Sequence, residues 1–233
     1  PEVRQILIDS SVDVGPAGFD NGTGWGRIDA FEAVSLAANS NGIVRLNRDA
    51  YSCQDEMTIT VSDIDLAGQG TVDVTLTSDT ESAGEVITLD ETGGDSGVFR
   101  NTVPTASGDP AADGVLQLSH DDLITVEYID ADDGEGGTNV PKTDTAVADC
   151  RAPAVSDVEA EDIDDVSADV TWTTDEASTS VVRYGAVAPP TEEASRPGLV
   201  TAHNVPLDSL TECTIYKYEV ESIDALGNVV IDD

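Results

Sequence analysis

The sequence has very little positive charge. Its 233 residues include 10 Lys and Arg against 47 Asp and Glu, a formal net charge of -37, and its lysines are Lys142 and Lys217. Binding of nucleic acid or of an anionic membrane surface needs a basic face, so neither is expected. Self-repulsion at this charge opposes compaction, so cations should stabilise the fold. A saline habitat and specific calcium sites both explain the composition, and the sequence leaves both open.

Aromatic residues and long apolar runs are also scarce. Aromatics make up 4% of the chain, and no stretch approaches the ~20 apolar residues that cross a bilayer. Hydrophobic residues make up 39%, carried largely by Val, Ile, Leu and Ala, whose β-branched members favour strands. These features predict small β modules with thin cores and no membrane insertion.

Catalytic groups are sparse. The two histidines, His120 and His203, have no companions at the spacing that a Ser-His-acid triad or a zinc site needs. His203 precedes a predicted strand, which indicates a structural role. No catalytic residue is therefore expected in this chain.

The hydrophobic pattern changes twice along the chain. Residues 1–42 show a helical stripe and a Gly-rich turn, which predicts a helical hairpin. Period-two alternation with Asp-, Gly- and Ser-rich turns fills residues 43–151 and returns in residues 152–233. The predicted fold is mainly β, with the hairpin followed by two tandem immunoglobulin- or fibronectin-like sandwiches.

The first segment carries a specific string of residues. It runs Pro1-Glu2-Val3-Arg4-Gln5-Ile6-Leu7, then Ser10-Ser11, then Gly24-Trp25-Gly26-Arg27-Ile28-Asp29-Ala30. The string resembles the last two helices of subtilisin-like serine proteases. The resemblance implies that Gly24 and Gly26 form a tight turn and that Asp29 caps the second helix. The family's catalytic residues lie upstream of these helices and are absent here, so the helices would pack on a missing catalytic domain, a β module or another copy of the chain.

The second segment has its own marks. These are Tyr51-Ser52-Cys53, Leu89-Asp90-Glu91-Thr92-Gly93, Gly97-Val98-Phe99 and Val126-Glu127-Tyr128-Ile129-Asp130. They resemble a bacterial extracellular immunoglobulin-like module, which implies a spacer or adhesive role. Cys53 and Cys150 bracket the module, which suggests a disulfide and an oxidising compartment. Cys213 is left over, either as a buried thiol or as a link to a partner.

Acidic residues cluster in two loops of this segment. They are Asp63 and Asp65 at a strand end, and Asp130, Asp132, Asp133 and Glu135 in a Gly-rich loop. Calcium prefers several carboxylate and carbonyl oxygens, and such loops supply them. The spacing does not match an EF-hand loop, so a calcium site and a solvated acidic loop both remain open.

The third segment contains Val170-Thr171-Trp172-Thr173-Thr174-Asp175-Glu176, then Leu210 to Val220, then Asp224-Ala225-Leu226-Gly227-Asn228. These strings resemble a fibronectin type III module, and more closely the fibronectin-like module of purple acid phosphatases. It implies that Trp172 is the core tryptophan and that Tyr216 holds the tyrosine-corner position. The phosphatase's metal-binding domain is absent, so no phosphatase activity follows.

Together these resemblances predict a secreted chain without catalytic function of its own. We expect the C-terminal region of a subtilisin-like protease, whose β modules act as spacer, stability or anchoring domains toward extracellular protein or cell-surface material. The alternative is a processed structural protein whose copies associate into an extracellular filament.

Overall fold

The computed structural model describes residues 41–134 and 136–233, together with Ser11–Val12 and Arg27–Ile28. The chain divides into two compact units, Pro1–Ala148 and Asp149–Asp233. Nothing helical in the described residues has the length and apolar character needed to cross a membrane. The three-way division into 1–42, 43–151 and 152–233 stays a prediction.

The predicted N-terminal helical hairpin is wrong. The described residues are all-β, with a three-residue 3₁₀ turn and no α-helix. Before residue 42 they form two short strands, β1 (Ser11–Val12) and β2 (Arg27–Ile28), which pair antiparallel. Val12 and Ile28 are β-branched, which favours extended backbone over helix. Gly24, Gly26 and Asp29 lie outside the described residues.

Unit 1 continues with nine strands. They are β3 (Ile43–Leu46), β4 (Ala50–Tyr51), β5 (Glu56–Ser62), β6 (Thr71–Thr77) and β7 (Glu85–Glu91). The others are β8 (Val98–Ala106), β9 (Leu116–Gln117), β10 (Leu123–Asp130) and β11 (Val140–Ala148). The 3₁₀ turn spans Ile64–Leu66 after β5. Strands neighbour one another in the order β3-β5-β8-β7-β6-β10-β11-β4, with β9 beside β8.

The two ends of this strand order meet, so the sheet folds over one core. The backbone N–H of Leu46 on β3 donates to Asp144 on β11 at 2.8 Å. Alternate residues of β7 and β10 face inward, and the largest buried side chains of unit 1 are Tyr51, Tyr128, Phe99, Met57, Ile59, Leu76 and Leu89. The predicted disulfide between Cys53 and Cys150 is present.

Glu91, at the end of β7, holds two loops of unit 1, the one before β6 and the one between β7 and β8. Its carboxylate accepts backbone N–H bonds from Gly97 at 2.8 Å, Gly68 at 3.0 Å and Gly70 at 3.2 Å. All three glycines have positive φ, at 67°, 81° and 80° respectively. These bonds lower the pKa of Glu91 because they favour its ionised form. In the Glu91-Thr92-Gly93 motif, the Glu91 side chain therefore fixes the neighbouring loops to the end of β7.

Unit 2 has five strands. They are β12 (Val155–Glu161), β13 (Ala168–Gly185), β14 (Glu192–Leu207), β15 (Lys217–Ile223) and β16 (Val229–Asp232). The long β13 and β14 each serve two sheets, because their pairing register shifts between Thr173 and Ser180. The first part of β13 pairs with β12 and the end of β14. Its second part pairs with the start of β14 and with β15, and β15 pairs with β16.

This arrangement is an immunoglobulin-like sandwich of a three-stranded and a four-stranded sheet. One sheet contributes Val170, Trp172, Val205 and Leu207 to the core, and the other contributes Val182 and Val220. All six side chains are at most 4% exposed. Burial of this cluster is the main stabilising contribution to unit 2.

A glycine substitution tests the loop geometry of unit 1. A Cβ at Gly97 would lie 2.6 Å from the backbone oxygen of Asp63, and its φ of 67° disfavours side chains. We expect Gly97→Ala to lower the free energy of unfolding by about 1–3 kcal/mol. Urea unfolding measures the change.

Gly94→Ala is the matched control. A Cβ at Gly94 meets nothing within 4 Å, so the substitution should be close to neutral. Equal destabilisation by both variants would contradict this account of the loop.

Candidate functional site

Asp63 is buried at one end of unit 1, beside Tyr128. The Tyr128 hydroxyl donates to one carboxylate oxygen of Asp63, and the other oxygen accepts the backbone N–H of Asp65 at 3.0 Å. Burial raises the pKa of Asp63, and the charges of Asp130 and Asp65 add to the effect, although the Tyr128 hydrogen bond opposes it. Burial and the hydrogen bond to Asp63 raise the pKa of Tyr128 far above its ordinary value.

Asp130 is fully buried at the same end of unit 1. It accepts the backbone N–H of Gly42 at 2.7 Å and that of Asp132 at 3.2 Å. The Lys142 ammonium lies 3.7 Å from its carboxylate and also contacts the side-chain oxygen of Asn41. One of the chain's two lysines thus supplies positive charge at the cluster where calcium was predicted.

The structure brings most of the predicted calcium ligands together. Burial raises the pKa of Asp65, as do the nearby charges of Asp132 and Asp130, so these carboxylates repel one another. Asp133 turns inward to its own loop and accepts the Gly137 N–H at 2.8 Å. Glu135 lies outside the described residues. Both carboxylate oxygens of Asp63 and of Asp130 accept internal hydrogen bonds, whereas Asp132 accepts one, from the Gly134 N–H at 3.0 Å. Asp65 and Asp132 are therefore the members best placed to meet a cation.

Sequence reasoning missed a tighter carboxylate group. Within the described part of the chain, the three carboxylates whose oxygens lie within 4.8 Å of one another are Asp149, Glu176 and Asp224, all in unit 2. Asp224 also accepts the backbone N–H groups of Leu226 at 2.8 Å and Asn228 at 2.9 Å. The Asp224-to-Asn228 string signalled this turn, but nothing in the sequence linked it to the other two carboxylates.

His203 lies in the core of unit 2, stacked on Trp172. The two rings are parallel within 1° and their centroids are 4.6 Å apart. Nδ1 of His203 is 2.8 Å from the Ser180 hydroxyl, and Nε2 is 2.9 Å from the Thr174 hydroxyl. The Trp172 indole N–H donates to Ser222 at 3.0 Å. Burial lowers the pKa of His203, so this histidine is a neutral core residue with both ring nitrogens engaged.

Tyr216 closes the connection between β14 and β15. Its hydroxyl accepts the backbone N–H of Thr211 at 3.0 Å, five residues upstream. Cys213 lies inside this connection with a φ of 55°. Its thiol is free and exposed, so the expectation of a buried thiol is wrong.

Comparison with known proteins gives structural likeness alone. No protein-family model matches the chain, and no curated protein does. Solved structures of fibronectin type III domains are similar to this chain. Three such domains of chicken CNTN1 have 13% sequence identity and a TM-score of 0.37, and the match covers 83% of this chain and 67% of the CNTN1 chain. A two-domain segment of chicken tenascin has 15% identity and a TM-score of 0.32, with coverages of 82% and 97%. A segment of titin has 12% identity and a TM-score of 0.43, with coverages of 82% and 62%. Likeness at this level carries no argument about function.

The calcium expectation stays a prediction with a direct test. A specific site would make calcium raise the melting temperature more than sodium at equal ionic strength, because the site relieves the repulsion among the clustered carboxylates. Asp65→Asn combined with Asp132→Asn should make calcium and sodium raise the melting temperature equally. Calorimetry with calcium, sodium and a chelator measures it.

The control is Asp109→Asn combined with Glu127→Gln, which removes the same charge from exposed positions. Equal effects of calcium and sodium on the parent chain would show charge screening and contradict a dedicated site.

The buried His203 makes unit 2 sensitive to acid. Its folded pKa is below the ordinary histidine value of 6.5, so the unfolded chain binds more protons and stability falls as the pH drops through that value. We expect the His203 ring to become half-protonated only at a pH below the ordinary histidine value. Imidazole NMR shifts report this directly, and half-protonation at or above the ordinary histidine value would contradict it.

Proposed function

We propose that this chain is a non-catalytic extracellular spacer, whose β units hold neighbouring parts of a larger protein apart. One observation carries the proposal: the path of the chain through unit 2. Asp149, Glu176 and Asp224 meet at one pole of the sandwich, which places the entering chain beside the bend of β13 and the turn between β15 and β16.

From that pole the last strand leads away. Val229, at the start of β16, pairs with Ile223 next to this turn, and Asp232 pairs with Val220 further along β15. The chain therefore enters unit 2 at one pole and runs toward the other. A tension applied along this path loads the hydrogen bonds of β12 and β16 in shear, which suits a spacer.

The chemistry of the chain supports an extracellular, non-catalytic role. The disulfide between Cys53 and Cys150 suits an oxidising compartment. The ring nitrogens of His203 are held by two hydroxyls, and at 3% exposure the ring is closed to a substrate. General-base catalysis by this residue is therefore disfavoured.

Attachment to a subtilisin-like protease remains part of the proposal. Its support is the sequence string from Pro1 to Ala30. The described strands of that segment, Ser11–Val12 and Arg27–Ile28, lend it no support.

Single-molecule pulling tests the spacer proposal. Handles on Ala154→Cys and Asp233→Cys load unit 2 along the chain path, in a Cys213→Ser background. Handles on Ala177→Cys and Ala225→Cys, which are exposed, apply the force across the pole where the chain enters unit 2. In this geometry the hydrogen bonds between strands break one after another. We expect a higher unfolding force along the chain path, because several hydrogen bonds break together rather than in turn.

Equal forces in the two geometries would contradict the spacer role. Hydrolysis of a peptide substrate by the purified chain, retained after removal of trace proteases, would contradict its non-catalytic character.

A further inference from the structure

An apolar cleft opens at one end of unit 2, between two connections. One joins β12 to β13 (residues 162–167) and the other joins β14 to β15 (residues 208–216). Its volume is about 540 Å³. The backbone N–H of Leu210 donates to the carbonyl of Val166 at 2.8 Å, so the two connections are fixed to each other and the cleft is preformed.

The walls of the cleft are apolar and aromatic. Leu207, Leu210, Tyr216 and Tyr218 line it, so two of the five tyrosines of the chain are concentrated here. Ile215 lies in the same lining and is 86% exposed. Ile163, which is 73% exposed, lies in the same lining, and exposed apolar residues that cluster beside an apolar cleft are typical of a binding surface.

The rim of the cleft is acidic. Asp164 and Asp165 belong to the lining, and among the described residues that line it there is no lysine, arginine or histidine. A second copy of the chain would bring a net charge of -37 against this rim, which disfavours self-association. A cation would meet both carboxylates, and the tyrosine rings can receive an ammonium or guanidinium group on their faces.

We propose that this cleft binds a basic peptide segment in which an apolar side chain lies next to Lys or Arg. The apolar side chain enters between Leu210 and Tyr216, and the basic group pairs with Asp164 and Asp165. The surface goes beyond the spacer role, because it gives unit 2 a partner of defined chemistry.

The reactivity of the Cys213 thiol reports whether a peptide occupies the cleft. It lines the cleft and is the free thiol of a chain whose other two cysteines form the disulfide. The probe is a blocked hexapeptide of alternating Lys and Phe. We expect the peptide to bind in calorimetry and to slow modification of Cys213 by a water-soluble maleimide. The same peptide with Glu in place of Lys, or Ser in place of Phe, should do neither.

Variants locate the contact. Asp164→Asn combined with Asp165→Asn should weaken binding about fivefold, as expected for two solvent-exposed charge pairs. The Asp164 side chain accepts the backbone N–H of residue 165 at 2.8 Å, and the Asn side chain keeps an oxygen for this hydrogen bond. Ile215→Ser should also weaken binding without affecting the fold, since the side chain is exposed. Asp109→Asn with Glu127→Gln, in unit 1, removes the same charge and should leave binding unchanged.

Several results would overturn the proposal. Equal weakening by the control pair would show attraction to net charge alone. Binding without protection of Cys213 would place the peptide elsewhere. Protection of Cys213 that rises with protein concentration in the absence of peptide would identify a second copy as the occupant.

Discussion

The constraint on which this structure depends is the shortage of positive charge. With 47 carboxylate side chains and 10 basic ones, most carboxylates need donors other than Lys or Arg. Backbone N–H groups fill that role. The Glu91 carboxylate accepts hydrogen bonds from three glycine amides. Asp122 accepts the N–H groups of Ser119 and Thr80, and Asp224 accepts those of Leu226 and Asn228. Charge-assisted bonds of this kind close the loops, so the acidic residues define the turns between strands.

Two basic groups, Lys142 and Arg183, lie close to carboxylates of this chain. Lys142 serves the buried Asp130, where an unpaired charge would be costly. Arg183 lies within 4 Å of three carboxylates, those of Glu193, Glu219 and Glu221. A further ion pair joins Arg48 to Asp55 at 2.6 Å. The same shortage leaves the cleft of unit 2 with an acidic rim that only a basic partner complements.

Local patterns predicted the strands well and the contacts between distant residues poorly. The alternating runs at Met57–Val61, Val72–Leu76 and Ile124–Tyr128 all lie in strands, because a half-buried strand enforces period two. The helical interpretation of the first segment is wrong, because its described residues, Ser11–Val12 and Arg27–Ile28, pair as strands. Tyr128 and Asp63 are 65 residues apart, and Asp149 meets Glu176 and Asp224 only through the sandwich topology. Spacing along the chain carries no signal for such pairs, so these contacts become visible only once the strands are folded together.

The central claim is that carboxylates bonded to backbone amides, rather than ion pairs, shape the loops of this acidic chain. The most direct test follows the amide proton shifts of Gly68, Gly70 and Gly97 during an acid titration. The account predicts that all three move together, with one midpoint below 4.5, the ordinary pKa of a glutamate such as Glu91, and that high salt leaves the three amides bonded. Three unrelated midpoints, or a common midpoint at or above that value, would contradict it.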